Sequence, residues 1–472
     1  MRRKRRGQRS FADLELEAQG VALDPVLQCV SRFLDQHAEL LDAVHRDLVR
    51  GLKNAKTGRV GLSAEQVLRS FVLQRIKDWD YRELRERIAD GYTLRGFTGF
   101  GSSRVPKHQA FHRSFCCLQP QTLRRLNEAV VAVAVEMGIE DARWVRADTT
   151  VVETTIHFPT DSALLWDTVR VLTRLATAVV EHLPQLPAHF SNRTRCARRR
   201  MQELQRMTPT QRHAQQKPVY KALITVSEQV IATARGVSQA AARASKKLDA
   251  LSALRVEALC KQIDQYADLG RRVVGQARRR VLNGEQLTAK EKLYSIFEPH
   301  TDLIKRGKVN KPVEFGHKVF LAESRRGLVT DYWVIDGNPT DDVHVKNSVD
   351  RHRQRFGRVP DLYAVDRGFY SPDNVQLVTT AGVKTESIPQ RGGKKSAARA
   401  AHEKSRRFKQ AQKFRAGVEG RISVLFRGRG MKRCPWHGGA RFEVFVAAAV
   451  LANNLLVIAA ALRQRQRQRK AA

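Results

Sequence analysis

Hydrophobic and polar positions along the chain repeat with two different periods, and the changes of period mark out the expected elements. From Val21 to about Met137 the period is helical. Ser63 caps a run in which Val67, Leu68, Phe71, Val72 and Ile76 share a face. Asp80 to Ile88 reads as a short second helix, Gly91 to Ser103 as a loop, and Pro120 to Met137 as a further amphipathic helix. At Trp144 the period becomes two. Trp144, Arg146 and Asp148 alternate with Val145, Ala147 and Thr149, as a strand requires. Ser162 to about Ile296 is helical again and rich in Arg, Lys, Gln and Ala, more like an insertion than a core. Strand signals return at Pro312 to Leu321 and Leu328 to Ile335, joined by the charged, Gly-ended turn Glu323 to Gly327.

The remainder alternates helix and strand. Thr340 caps a helix reaching about Phe356, and a strand from Leu362 to Val365 runs into Asp366. Ser371 and Pro372 open a helix with Pro at its first position. Val383 to Ile388 is a short strand, Gln390 to Lys409 a basic linker, and Phe414, Val418, Ile422 and Leu425 mark an amphipathic helix. Behind it, Val444 to Leu462 is almost wholly apolar and about long enough to span a bilayer. Asn453 and Asn454 in its middle are costly in hydrocarbon, so a buried core helix and no membrane partner are expected. The order predicts an α/β domain with a mixed sheet, interrupted by an all-α insertion and preceded by a helical domain. The expected divisions are a basic flexible arm at 1–20, a helical domain at 21–140, the α/β domain at 141–160 and 301–462, the insertion at 161–300 and a basic tail at 463–472.

Charge changes this picture more than composition does. The 472 residues are 42% hydrophobic, which excludes wholesale disorder. Lys and Arg number 85 against 47 Asp and Glu, a formal net charge of +38. Such a chain repels itself unless a polyanion is near, and nucleic acid is the expected partner. Basic runs peak at Arg2 to Arg6, Arg198 to Arg200, Arg278 to Arg280, Lys394 with Lys395, and Arg463 to Lys470. Any one of them alone is an ordinary solvated face, but their spread argues for an extended track. The short Arg-rich helices before Met137 suit a helix-turn-helix-like DNA reader and suit a plain helical domain equally. Six Cys without regular spacing, and no secretory leader, fit reduced cytosolic thiols. Cys434 with His437 is half of a zinc site for which no second pair follows.

Three carboxylates stand out by position. Asp148 lies within the first strand, Asp366 at the carboxyl end of a later strand, where open α/β sheets place ligand-binding groups, and Glu419 on the polar side of the late helix. Phosphodiester cleavage with two Mg²⁺ ions needs several carboxylates converging from separate elements, and such carboxylates repel one another without a cation. Taken singly, an Asp at a strand end is as readily a cap or turn former, and a helical Glu is usually a surface residue.

The segments Asp148-Thr149-Thr150-Val151-Val152-Glu153-Thr154, Asp366-Arg367-Gly368-Phe369-Tyr370-Ser371 and Arg415-Ala416-Gly417-Val418-Glu419-Gly420-Arg421 resemble the DDE transposases of bacterial insertion sequences. The stretch from Asp148 on through Ile156-His157-Phe158-Pro159-Thr160-Asp161 is most similar to the group labelled ISNCY, and the resemblance extends over about residues 60–460. It implies an RNase H-like catalytic domain and Asp148, Asp366 and Glu419 as catalytic ligands of two Mg²⁺ ions, for which Mn²⁺ can substitute. The activity it implies is cleavage of element ends followed by strand transfer into target DNA. Relatives carry a Tyr, Arg, Glu, Lys signature on the late helix; here Arg415 stands at the Arg position, Gln412 at the Tyr and Phe426 at the Lys, with Arg427 beside it.

Arg367, Arg415, Arg427 and Lys318 are the expected DNA contacts. Glu153 and His157 are read as structural before functional, Asp341 and Asp342 as first-turn helix acids, and Trp166 as a buried aromatic in preference to a base-stacking one. The expected partners are double-stranded DNA, at transposon ends and target, and at least one further copy of the chain in the synaptic complex, in a bacterial cytoplasm at the nucleoid. Two other readings stay open: a nuclease of the same fold that cuts without rejoining, and a DNA-binding protein whose catalysis is unused.

Overall fold

The computed structural model describes residues 1–5, 11, 23–186, 190–245, 248–305 and 312–471. They form two compact units, one of Met1–Glu153 with His317–Ala472 and one of Thr154–Gly316. In chain order the helices are α1 (Pro25–Gln36), α2 (Leu40–Val49), α3 (Ala64–Lys77), α4 (Tyr81–Asp90), α5 (Tyr92–Phe97), α6 (His108–Phe115), α7 (Pro120–Glu136), α8 (Asp161–His182), α9 (Thr194–Arg206), α10 (Pro209–Ala244) and α11 (Ala250–Ala277). Then follow α12 (Val345–Phe356), α13 (Pro372–Thr380), α14 (Ala397–Lys404), α15 (Arg406–Gly428) and α16 (Gly439–Ala471). The strands are β1 (Trp144–Thr154), β2 (Asp302–Lys305), β3 (Val313–Ser324), β4 (Val329–Val334), β5 (Leu362–Ala364), β6 (Thr385–Ser387) and β7 (Arg433–Cys434).

The larger unit is α/β with a mixed sheet in the order β4-β3-β1-β5-β6, and β7 adds to β1. β3 and β4 form the expected antiparallel hairpin. β1 runs parallel to β5, with Trp144 opposite Leu362, and β5 runs parallel to β6. Alternation along the strands sends side chains to two different cores. Val145, Ala147, Phe320, Tyr363 and Val365 face Val345, Val349 and Val378 of α12 and α13. Trp144, Leu362 and Ala364 face Ala411 and Phe414 of α15, while Val319 and Leu321 join the helical core around α16.

That helical core joins two regions expected to be separate. α16 packs against α1, α3 and α7, and Leu27, Phe71, Leu126, Phe445 and Leu455 are buried in one cluster with hairpin residues. The boundary expected at residue 140 therefore does not appear in the packing. The apolar window of α16 has a mean hydropathy of 2.3, long enough to cross a membrane, and 78% of it is buried inside the protein. The two asparagines are satisfied. Asn454 accepts from the Val329 amide at 2.9 Å and donates to the Val329 carbonyl at 2.9 Å and to Asn127 Oδ1 at 2.7 Å. A side-chain amide thus stands in for one more rung of the sheet, which offsets the desolvation of both groups.

Several expectations need correction. Most of the 1–20 arm lies outside the described residues, but its first five residues are placed. The Gly61, Ala64 and Glu65 amides donate to the carbonyls of Met1, Arg3 and Lys4. The 463–472 stretch continues α16, and Arg465 donates to the carbonyls of Met137 and Gly138. The Gly91–Ser103 loop holds α5 and the Gln390–Lys409 linker holds α14, capped by Ser396. In both places polar composition concealed a short helix: α5 buries Phe97 and has no side-chain cap, while α14 buries no residue and is capped. Ser63 and Gln66 form the expected capping box of α3.

The smaller unit is helical. α8, α10 and α11 enclose Leu172, Leu223, Ile231, Ile263 and Val273, and Trp166 packs half-buried against them. β2 pairs with the first residues of β3, Lys305 opposite Val313.

His352 of α12 is 7% exposed, its Nε2 has no hydrogen-bond partner among the described residues, and its ring lies against Phe356. Burial, with Arg358 and Arg355 nearby, pushes its pKa down to about 4. The unfolded chain then binds a proton that the folded chain refuses. Stability should be intact above about pH 6.5 and fall by about 3 kcal/mol as pH drops toward 4. His352→Phe should flatten that part of a denaturation-midpoint-against-pH curve; an unaltered slope would show that other groups set it.

Candidate active site

The site grows out of β1. With a period of two, Trp144, Arg146 and Asp148 all point to the face covered by α15, while Thr149 points to the other face. Asp366 stands two residues beyond the end of β5 and turns the chain, its Oδ1 accepting from the Gly368 amide at 2.8 Å. β1 and β5 are parallel neighbours, so Asp148 and Asp366 leave the sheet side by side.

α15 forms because Phe408, Ala411, Val418 and Leu425 recur at helical spacing on one buried face and Ser405 caps it at the Phe408 amide. Its opposite edge brings Arg415 to the two aspartates. Arg415 Nη2 lies 2.9 Å from Asp148 Oδ2 and 3.6 Å from Asp366 Oδ2, and its Nη1 lies 3.4 Å from Glu419 Oε1. All three sequence-predicted carboxylates therefore meet one guanidinium. They are not equivalent: the side chain of Asp148 is 13% exposed, that of Asp366 35% and that of Glu419 71%. Glu419 stands at the rim.

What locks α15 to the sheet is a fully buried carboxylate. Glu323, at the end of β3, accepts from Arg146 Nε at 2.7 Å and from Arg421 Nε at 2.8 Å, and its side chain has no exposure. Arg146 donates onward to the Phe414 carbonyl at 2.7 Å, and Arg421 to Asn453 Oδ1 at 2.8 Å. A Cβ on Gly417 would fall 2.0 Å from Arg146 Nη1, so only glycine admits the guanidinium there. Gln412 donates from Nε2 to the Val365 carbonyl at 3.2 Å and the Ser387 carbonyl at 3.0 Å, which ties α15 to the ends of β5 and β6 just before Asp366.

One acid was missed. Asp341, read from sequence as a helix-turn acid, accepts from Thr149 Oγ1 at 2.8 Å and pairs with Lys318 Nζ at 2.7 Å. Its Oδ2 approaches Gly368 from one side as Asp366 Oδ1 does from the other, 3.2 and 3.0 Å from where a Cβ would stand. Only the fold makes it a neighbour of Asp366. Lys318 corrects a second expectation: it is 8% exposed and donates to Asp341 and the Pro339 carbonyl, so it faces inward and not toward a ligand phosphate.

Of the other expected DNA contacts, Arg367 is exposed beside Asp366, with no side-chain ion pair among the described residues. Arg427 is exposed and bonded to Ser423 on its own helix. Phe426, at the expected Lys position, packs on the helical core. Glu153 pairs with Arg433 at 2.6 Å, and His157 with Asp167 at 3.3 Å. Among the described residues no three His, Cys, Asp or Glu are grouped as a ready metal site. Asp148 and Asp366 nevertheless aim hard oxygen donors at one point, now taken by the Arg415 cation, and that donor set fits a divalent ion such as Mg²⁺.

Residues 22–115 match the family described as Transposase domain (DUF772). The matched stretch covers α1 to α6 and ends before the first of the carboxylates. No curated protein and no solved structure matches the chain significantly.

Glu323→Gln would leave Arg146 and Arg421 buried around a neutral group, a loss of about 3–5 kcal/mol for a broken buried pair. Chemical denaturation should show it as a lowered midpoint. An unchanged midpoint would mean that the clamp does not hold α15.

Proposed function

We propose that the chain is a DDE transposase with an RNase H-like catalytic domain, ISNCY-like in type, which cuts the ends of its mobile element and transfers them into target DNA. The observation that carries this reading is the convergence of Asp148, Asp366 and Glu419 on Arg415 from a strand, a strand end and a helix. The transposase-domain match over residues 22–115 and the +38 charge support it independently. The strand order, with β1 between an antiparallel hairpin and two parallel strands, supports the fold assignment.

In this reading Asp148 and Asp366 would hold Mg²⁺, with Glu419 at the open rim completing the set. The bound ions would activate the attacking oxygen and stabilise the leaving one. Arg415 keeps the three carboxylates together beforehand, lowering their mutual repulsion, and can then turn to a DNA phosphate as the bidentate partner that a guanidinium suits. Arg367 and Arg427 lie exposed where they can meet the backbone. Gln412 and the Glu323 clamp fix the helix that carries Arg415 and Glu419. The partners are double-stranded DNA at element ends and target and, for synapsis of two ends, a second copy of the chain; the setting is the bacterial nucleoid.

Asp148→Asn and Asp366→Asn should each abolish cleavage of a labelled duplex bearing the element's terminal inverted repeat, while gel-shift affinity stays within a few-fold of the parent. Asp341→Asn should reduce cleavage more than Asp373→Asn, which is exposed on α13. Full cleavage by Asp148→Asn, or equal damage from Asp373→Asn, would overturn the site assignment.

A second expectation follows from charge. If contacts to phosphate dominate binding, each neutralised phosphate should add about 0.9 to the slope of log K against log salt. Titrations between low and physiological salt should therefore show a steep loss of affinity, and a flat plot would rule this mode of binding out.

A further inference from the structure

The smaller unit exposes an aromatic ring where solvent should have selected a polar residue. Phe158, in the turn leading to α8, is 74% exposed. Its ring meets Phe315 of β3 edge to face, with centroids 5.7 Å apart, and Phe315 meets the ring of Tyr294 at 5.6 Å. Tyr294 is buried at 6% exposure and its hydroxyl donates to the Ala289 carbonyl. The outermost ring of this ladder is therefore held from below and open to solvent above.

A group of cations lies beside the start of α8. Three residues on, Asp161 is 5% exposed and already engaged by Arg280 at 2.7 Å and by Gln276 at 2.7 Å. Partial burial, and then the charges of Arg280 and Lys305 nearby, hold the Lys292 ammonium below the usual lysine range against the opposing pull of Asp161 and Glu291. Lys305 is exposed, and neither lysine has an ion-pair partner among the described residues. A protein partner would be expected to cover an apolar ring with apolar surface, and a rim of unpaired cations opposes that. A base attached to its phosphates satisfies ring and rim together, because every base has a face to stack and every nucleotide a charge to neutralise.

We infer that Phe158 is a stacking platform for an unpaired nucleobase of DNA, with Lys292 and Lys305 holding the adjoining phosphates. This rests on the reading of the chain as a DNA-binding enzyme and adds to it a preference for opened or frayed DNA. Trp166, read from sequence as buried in preference to base-stacking, packs half-buried against the core of this unit.

The test compares binding of the full chain to two probes of one sequence: a blunt duplex, and the same duplex with a few unpaired nucleotides at one end that include 2-aminopurine. The forked probe should bind about tenfold more tightly, the scale of one base stacked on one aromatic ring. Its fluorescence should be quenched on binding. Phe158→Ala should remove both the preference and the quenching and leave affinity for the blunt duplex unchanged. Phe158→Trp should keep both, and Lys292→Ala should weaken both probes. Because the ring is at the surface, thermal unfolding of Phe158→Ala should match the parent. Retained preference and quenching in Phe158→Ala, or equal binding of the two probes by the parent, would overturn the platform alone. Binding of neither probe would overturn the DNA-binding reading with it.

Discussion

A carboxylate with no exposure to water has to be neutralised where it stands, and Glu323 is neutralised by two arginines from different parts of the chain. Arg146 comes from β1 and Arg421 from α15, so one buried acid fixes the helix against the sheet in both height and rotation. Removing either partner would leave a charge in a medium that cannot solvate it, which makes the arrangement close to all-or-none. Gly417 permits the approach, and Asn453 passes the network on to α16. The consequence is geometric: Arg415 reaches Asp148 and Asp366, and Glu419 meets Arg415, because the turns on either side of them are held.

The same chemistry qualifies the meaning of the large positive charge. Arg278, Arg279 and Arg280 look like one basic peak in the sequence, yet they pair with Glu228, with Glu285 and Glu291, and with Asp161. Lys395 is paired with Glu403, and Arg351 and Arg355 with Asp331. In the Arg198–Arg200 run only Arg200 has an acidic partner among the described residues, Glu203. Runs of like sign therefore divide into those neutralised by the fold and those left to the solvent. Only the second kind can release counterions from a polyanion. At the site, Arg415 belongs to the first kind, paired with Asp148, Asp366 and Glu419.

Much of the architecture was legible because it depends on local periodicity. The two-residue alternation from Trp144 and the helical spacing from Phe414 through Leu425 each follow from which face must be buried, and neighbours within a few residues decide that. The hairpin around Glu323 to Gly327, the Ser63 and Ser371 caps and the burial of α16 were readable for the same reason. Asp148, Asp366 and Glu419 could be picked out by their places on these elements and by resemblance to known motifs.

What local pattern could not supply was the set of partners brought together across long stretches of chain. Asp341 is an ordinary first-turn acid until α12 packs on the sheet and sets it beside Thr149 and Gly368. Lys318 reads as a strand-surface cation until Asp341 and the Pro339 carbonyl enclose it. The division expected near residue 140 fails because α16, from the far end of the chain, fills the core of the amino-terminal helices. The sequence by itself determined which residues form strands and helices and which face of each is apolar, because those depend on neighbours along the chain. The tertiary structure alone decided which charges meet, because pairing depends on separations in space that no single-chain periodicity encodes.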